Sequence, residues 1–211
     1  IRKRFAGRSQ FLASYTLSKA EDNSTDFQSA FIPQNNGAGR DPNNPNGLPL
    51  AFNPDDERGP SLQDQRHRFV FSGVYAAPYG IQLSTIITGA SGRPYPILAG
   101  DDLNRDANGG AFPPDRPWRT PNDLTTTIGR NAGQLPTQAT VDLRVGKRLV
   151  SGDVSLDALF EVFNLFNRVN YTAVNNIFGT GAYPANPAPT FGQFTQAGAP
   201  RQIQFAARVS F

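Results

Sequence analysis

The most chemically pointed stretch of this chain is Asp102-Leu103-Asn104-Arg105-Asp106-Ala107-Asn108-Gly109, which carries a side-chain oxygen at every second residue. Oxygen donors at Asp102, Asn104, Asp106 and Asn108 have the spacing with which a loop can wrap a hard cation such as calcium. Two positions depart from the calcium-loop pattern: Ala107 stands where the turn glycine belongs, and Pro113 where a bidentate Glu belongs. Asx-rich turns also form for conformational reasons alone. His67 is the single histidine and lies between Arg66 and Arg68 with no companion ligands, which suits an interfacial polar residue better than a metal ligand or a base. Asp55-Asp56-Glu57 is an acidic cluster in a Pro/Gly-rich stretch and is expected to be solvated. The absence of Cys removes disulfides, thiolate metal sites and Cys nucleophiles. No nucleophile-base constellation, phosphate-binding glycine loop or metalloprotease motif occurs, so neither an enzyme nor a cofactor is expected. The formal charge is only +3 and, apart from Arg2, Lys3 and Arg4, the basic residues are scattered, so no nucleic-acid partner is expected.

What orders the remaining charges is a two-residue period. Residues 201–211 place Ile203, Phe205, Ala207, Val209 and Phe211 on one side and Gln202, Gln204, Arg208 and Ser210 on the other, the alternation of a β-strand. Five further strands show it: residues 10–18, 66–77, 81–89, 139–149 and about 154–162. Asp142, Arg144, Asp157, Glu161 and Arg208 all share the phase opposite the apolar set. The apolar phase, with Val141, Leu143, Val145, Leu156, Phe160, Val162, Phe205 and Val209, is expected to carry no charge. Between the strands run three long irregular segments, about 19–65, 91–136 and 168–200, and two tight turns, Pro78-Tyr79-Gly80 and Ser151-Gly152-Asp153.

The resulting order of connections is long, tight, long, tight, long. In an antiparallel up-and-down meander, successive connections fall at opposite ends, so all long loops share one end and all tight turns the other. Outer-membrane β-barrels have this asymmetry, with short periplasmic turns and long extracellular loops, and their strands need only about 9–11 residues to span. Tyr75 and Tyr79 at the tight-turn end, and Phe69, Phe163, Phe166 and Tyr171 toward the long-loop end, suit the two membrane interfaces. The expected fold is therefore all-β: about six transmembrane strands forming the C-terminal segment of a large barrel. Six strands cannot close even the smallest such barrel, which has 8. The first strand is accordingly expected to pair with one preceding Ile1, and the last with the barrel's own first strand.

Several segments carry a family resemblance: Ser14-Tyr15-Thr16-Leu17-Ser18-Lys19-Ala20-Glu21-Asp22, Asp64-Gln65-Arg66-His67-Arg68-Phe69 leading to Tyr79-Gly80, Gly92-Arg93-Pro94-Tyr95, Asp115-Arg116-Pro117, and Phe163-Asn164-Leu165-Phe166-Asn167. Together, in that order, the chain resembles the barrel of TonB-dependent outer-membrane receptors, in particular the Oar-like group. The resemblance implies residues 1–211 as the C-terminal part of a receptor barrel without its plug, located in the outer membrane. It implies import of a scarce external substrate using energy delivered by TonB, which would be contacted through the missing N-terminal plug region. It further implies contact with outer-membrane lipid and lipopolysaccharide, a polar wall of Asp142, Arg144, Asp157, Glu161 and Arg208 facing the lumen, and a terminal signal for the barrel assembly machinery. Gln204 and Phe211 match that signal, while Val209 replaces an aromatic and Ala206 a glycine. A passive porin and a secreted β-sandwich adhesion module are the alternative readings.

Overall fold

The structure is a computed structural model and describes residues 1–23, 57–104 and 115–211. Its main element is one antiparallel sheet of seven strands: β1 (Arg2–Ala6), β2 (Ser9–Leu17), β3 (His67–Ala76), β4 (Ile81–Ala90), β5 (Gln138–Ser151), β6 (Val154–Phe163) and β7 (Gln202–Ser210). Each strand pairs only with its neighbours in sequence, so the sheet is an up-and-down meander. The six expected strands are all there. The strand expected upstream of Ile1 proves to lie within the chain as β1, which pairs with β2 through the two-residue turn Gly7-Arg8. Both turn residues have positive φ (57° and 70°), the geometry that matches the twist of a tight hairpin. A register shift between Lys3 and Ala6 breaks the alternation of β1, which is why the basic run Arg2-Lys3-Arg4 does not look like a strand in sequence.

The other tight turns fall where expected, with Tyr79 and Gly80 at φ 63° and 71° and Gly152 at φ 60°. Three tight turns thus share one end of the sheet and the three long connections the other. The described parts of the long connections hold short pairs, Glu21–Asp22 with Gly59–Pro60, Pro94–Tyr95 with Gly133–Gln134, and Tyr171–Val174 with Phe194–Ala197, and one 3-10 turn at Leu124–Thr126. Among the described residues no helix is long and apolar enough to cross a membrane.

Register assigns every strand residue to a face. Val145 stands opposite Leu83 on one side and Phe160 on the other, and Phe160 opposite Phe205, whose ring centroid lies 5.0 Å away. The same face continues through Ile87, Phe71 and Ala13 on the other half of the sheet. Hydrophobic side chains on it are widely bare: Phe205 is 77% exposed, Tyr15 61% and Val209 58%. The opposite face bears the charges, and its Leu12 and Ile86 are also exposed. Of the buried apolar residues among those described, only Val162 belongs to the sheet. A sandwich would require a second sheet packed on the first. None is present among the described residues, and neither face carries a core of the kind a soluble sheet needs.

One expectation about the faces is corrected. The apolar phase is not free of charge, because Lys147 aligns with Ile81 and Ala158, and Lys3 with Phe11. Both lie near the tight-turn end, where a long aliphatic stem can cover apolar surface while the ammonium reaches a polar boundary. Lys3 donates from Nζ to Ser9 Oγ at 2.6 Å.

Candidate functional site

The charged face gathers its residues into two cross-strand groups. Asp157 stands opposite both Arg148 and Arg208, and its Oδ1 lies 3.0 Å from Arg148 Nε. Glu161 stands opposite Arg144 and Gln204, with Oε1 3.5 Å from Arg144 Nε. Four of the five expected wall residues are therefore brought together, and Arg148, which shares their phase, joins them. Asp142 is set apart at the long-loop end, where its Oδ1 accepts the backbone N–H of Asn164 at 2.8 Å.

Asn164 organises the connection after β6. It adopts φ 50°, its Nδ2 donates to the carbonyls of Arg168 and Ala199, and its Oδ1 accepts the N–H of Arg168. Leu165 N donates to Val141 O at 2.7 Å, fixing the turn to the end of β5. The Phe163-Asn164-Leu165-Phe166-Asn167 segment is thus a hydrogen-bonded corner from which the third long connection departs.

Above the sheet, the long connections fold on one another. Ile97 and Ile128 from the second meet Phe178 from the third, and Tyr95, Tyr183 and Phe191 pack around them. Ala99, Leu103 and Trp118 form an adjoining cluster with Leu124. Backbone bonds run through the same contact: Phe178 N donates to Leu98 O and Leu98 N to Asn176 O. Trp118 Nε1 donates to Thr180 O at 3.3 Å, giving a buried polar tip its partner. Burying side chains of this size contributes about 1.5–3 kcal/mol each, so the connections form a cap with its own core.

The first connection is tied in by polar contacts. Arg116 donates from Nη1 and Nη2 to the two carboxylate oxygens of Glu57 at 2.9 and 3.0 Å, and both residues are 2% exposed. Burial lowers the Arg116 pKa from its usual value, an effect opposed by the Glu57 carboxylate. Arg130 donates to the Asp22 carboxylate and, at 2.6 Å, to the Asp22 carbonyl, while Asn131 Nδ2 donates to Pro60 O. The acidic cluster expected to be solvated is therefore corrected at Glu57, which is buried because a guanidinium from the next connection meets it. Asp55 and Asp56 lie outside the described residues.

Of the candidate cation loop, Asp102 and Asn104 are described and Asp106 and Asn108 lie outside the described residues. Asn104 is buried, and its N–H and that of Leu103 donate to Asp115 Oδ2 at 3.0 and 2.6 Å. Among the described residues no group of three or more His, Cys, Asp or Glu is placed to hold a metal. His67 sits on the apolar face at the long-loop end, its Nδ1 2.7 Å from Tyr15 Oη. Gln204 and Phe211 lie at β7, with Gln204 beside Glu161 and Phe211 fully exposed just past the strand.

Between the cap and the charged face lies an open cleft of about 480 Å³. Arg68, Thr88 and Thr140 come to it from the strands, Arg93, Asn170 and Pro200 from the connections. Sequence periodicity could not have found this cleft, because half of its lining comes from segments without a period.

Comparison with curated proteins and with solved structures finds no match. A family model described as an outer membrane beta barrel domain matches residues 1–204. That match covers nearly the whole meander, and it accounts for a sheet whose apolar face has no partner among the described residues: the chain belongs to the outer-membrane β-barrel family, and its location is the outer membrane.

Proposed function

We propose that the chain forms wall and outer vestibule of an energised outer-membrane transporter of the TonB-dependent kind. In this reading the long connections are extracellular, the tight turns periplasmic, the apolar face meets lipid and lipopolysaccharide, and the charged face lines the lumen. The barrel assembly machinery would read the strand end at Gln204 and Phe211, and TonB would act through a plug region of the full-length receptor. The observation that carries the reading is the cap: the long connections are packed and ion-paired into one body at one end of the sheet, with a cleft beneath it. An entry of that kind suits capture followed by gated release.

Conductance of the purified full-length protein in planar bilayers tests this without knowledge of the substrate. A plugged transporter leaves the bilayer silent until the plug is unfolded by denaturant. Steady, ungated conductance of the untreated protein would establish a passive porin instead.

A further inference from the structure

We propose that the cleft between the cap and the charged face binds an anionic, hydroxyl-rich solute, carboxylated sugars and hydroxycarboxylates being the matching chemistry, with Arg68 and Arg93 holding the carboxylate. Its volume of about 480 Å³ lies in the range of small-molecule sites. The wall arginines Arg144 and Arg148 are committed to Glu161 and Asp157. Arg68 and Arg93 are both exposed at the cleft, and no carboxylate among the described residues pairs with either. Among the described residues Asp142 is the single acidic residue lining it, and one of its oxygens already accepts the Asn164 N–H.

Among the described residues the cleft thus presents two guanidinium groups against one carboxylate. A guanidinium binds carboxylate through two parallel charge-assisted bonds, which makes it selective for planar anions over neutral polyols. Around this positive centre, the Thr88 and Thr140 hydroxyls lie 2.6 Å apart, and each keeps capacity for a further hydrogen bond. The half-exposed ring of Phe163 supplies an apolar surface for the C–H face of a ring or chain. Since the inference concerns equilibrium binding, it holds for energised and passive passage alike.

Isothermal titration of the detergent-purified full-length protein with digalacturonate, citrate and neutral maltose tests the assignment. At least one of the two acids is expected to bind, digalacturonate alone marking a sugar site and citrate a hydroxycarboxylate site, and maltose is expected not to. The R68Q/R93Q double variant should weaken acid binding about tenfold to hundredfold, while Arg58→Gln, which removes an exposed charge from the cap, should leave it unchanged. Heat-modifiable gel mobility confirms that each variant is folded. Maltose binding as tightly as the acids, or no acid binding with Kd below about 10 mM, would overturn the proposal on the unmodified protein alone. Equal weakening by Arg58→Gln and by R68Q/R93Q would overturn it as well.

Discussion

Glu57 and Arg116 stand 59 residues apart in sequence and meet as a buried, two-point ion pair. The pair joins the end of the first long connection to the middle of the second, so its geometry reports whether the cap is assembled. Removing one member of a buried pair costs about 3–5 kcal/mol, whereas replacing both with apolar residues of similar volume is often neutral. Glu57→Ala should therefore make the cap of the full-length protein trypsin-sensitive without loss of the heat-stable sheet. The E57M/R116M double variant should resist trypsin better than either single change. Trypsin resistance of Glu57→Ala equal to that of the unmodified protein would show that the pair does not hold the cap.

Gly92 offers a second, purely steric handle on the same body. A Cβ built at this position would lie 1.6 Å from Leu135 O and 2.7 Å from Pro136 O, both backbone atoms with no rotamer to yield. Only glycine lets the two segments run this close. Gly92→Ala is expected to destabilise the cap by about 1–3 kcal/mol as the backbones separate. Amide hydrogen exchange checks it: faster exchange should be confined to the connections, with Leu135 N–H, bonded to Arg93 O, among the first to lose protection.

How far the sequence specified this arrangement differs between sheet and cap. Strands such as β6 announce themselves because Leu156, Phe160 and Val162 alternate with Asp157 and Glu161 over a length that only an extended chain with two unlike faces explains. The tight turns are legible for the same local reason, that Tyr79-Gly80 and Gly152 mark positive φ. The β1 strand escaped because a bulge and a basic run remove its alternation. The cap escaped more completely: Ile97, Ile128 and Phe178 stand in short stretches with no sustained period, and what buries them is each other across 31 to 81 positions of chain. Long-range pairings such as Glu57 with Arg116 leave no periodic trace, so an acidic residue in a loop looks solvated until its partner is seen. Arg148 is different, since it stands in the same phase as Arg144 and could have been read there.

The face assignment makes a prediction about assembly. Leu143 and Phe160 lie on the apolar face, in strands flanked on both sides. If lipid covers that face, Leu143→Arg or Phe160→Arg should cost about 2–4 kcal/mol near the bilayer midplane. Arg208→Gln, on the exposed charged face opposite Asp157, should be nearly silent. The fraction of heat-modifiable full-length protein recovered from outer membranes measures all three, and equal recovery would mean that the apolar face does not meet lipid.

Phe211 makes a prediction of a different kind, because its ring is fully exposed just beyond β7, away from the cleft-lining residues. Its position at the tight-turn end, on the same phase as Phe205 and Val209, places it where an assembly factor on the periplasmic side would meet the strand. In the proposed reading, recognition would fall to Gln204 and Phe211, since Val209 stands in place of an aromatic and Ala206 in place of glycine. Phe211→Ala in the full-length protein is expected to lower the amount of folded barrel in the outer membrane, while binding and transport per folded molecule stay unchanged. Quantifying folded protein by gel mobility alongside citrate or digalacturonate binding per folded copy separates the two effects. An unchanged folded yield accompanied by lost binding would assign Phe211 to the solute path and remove it from the assembly signal.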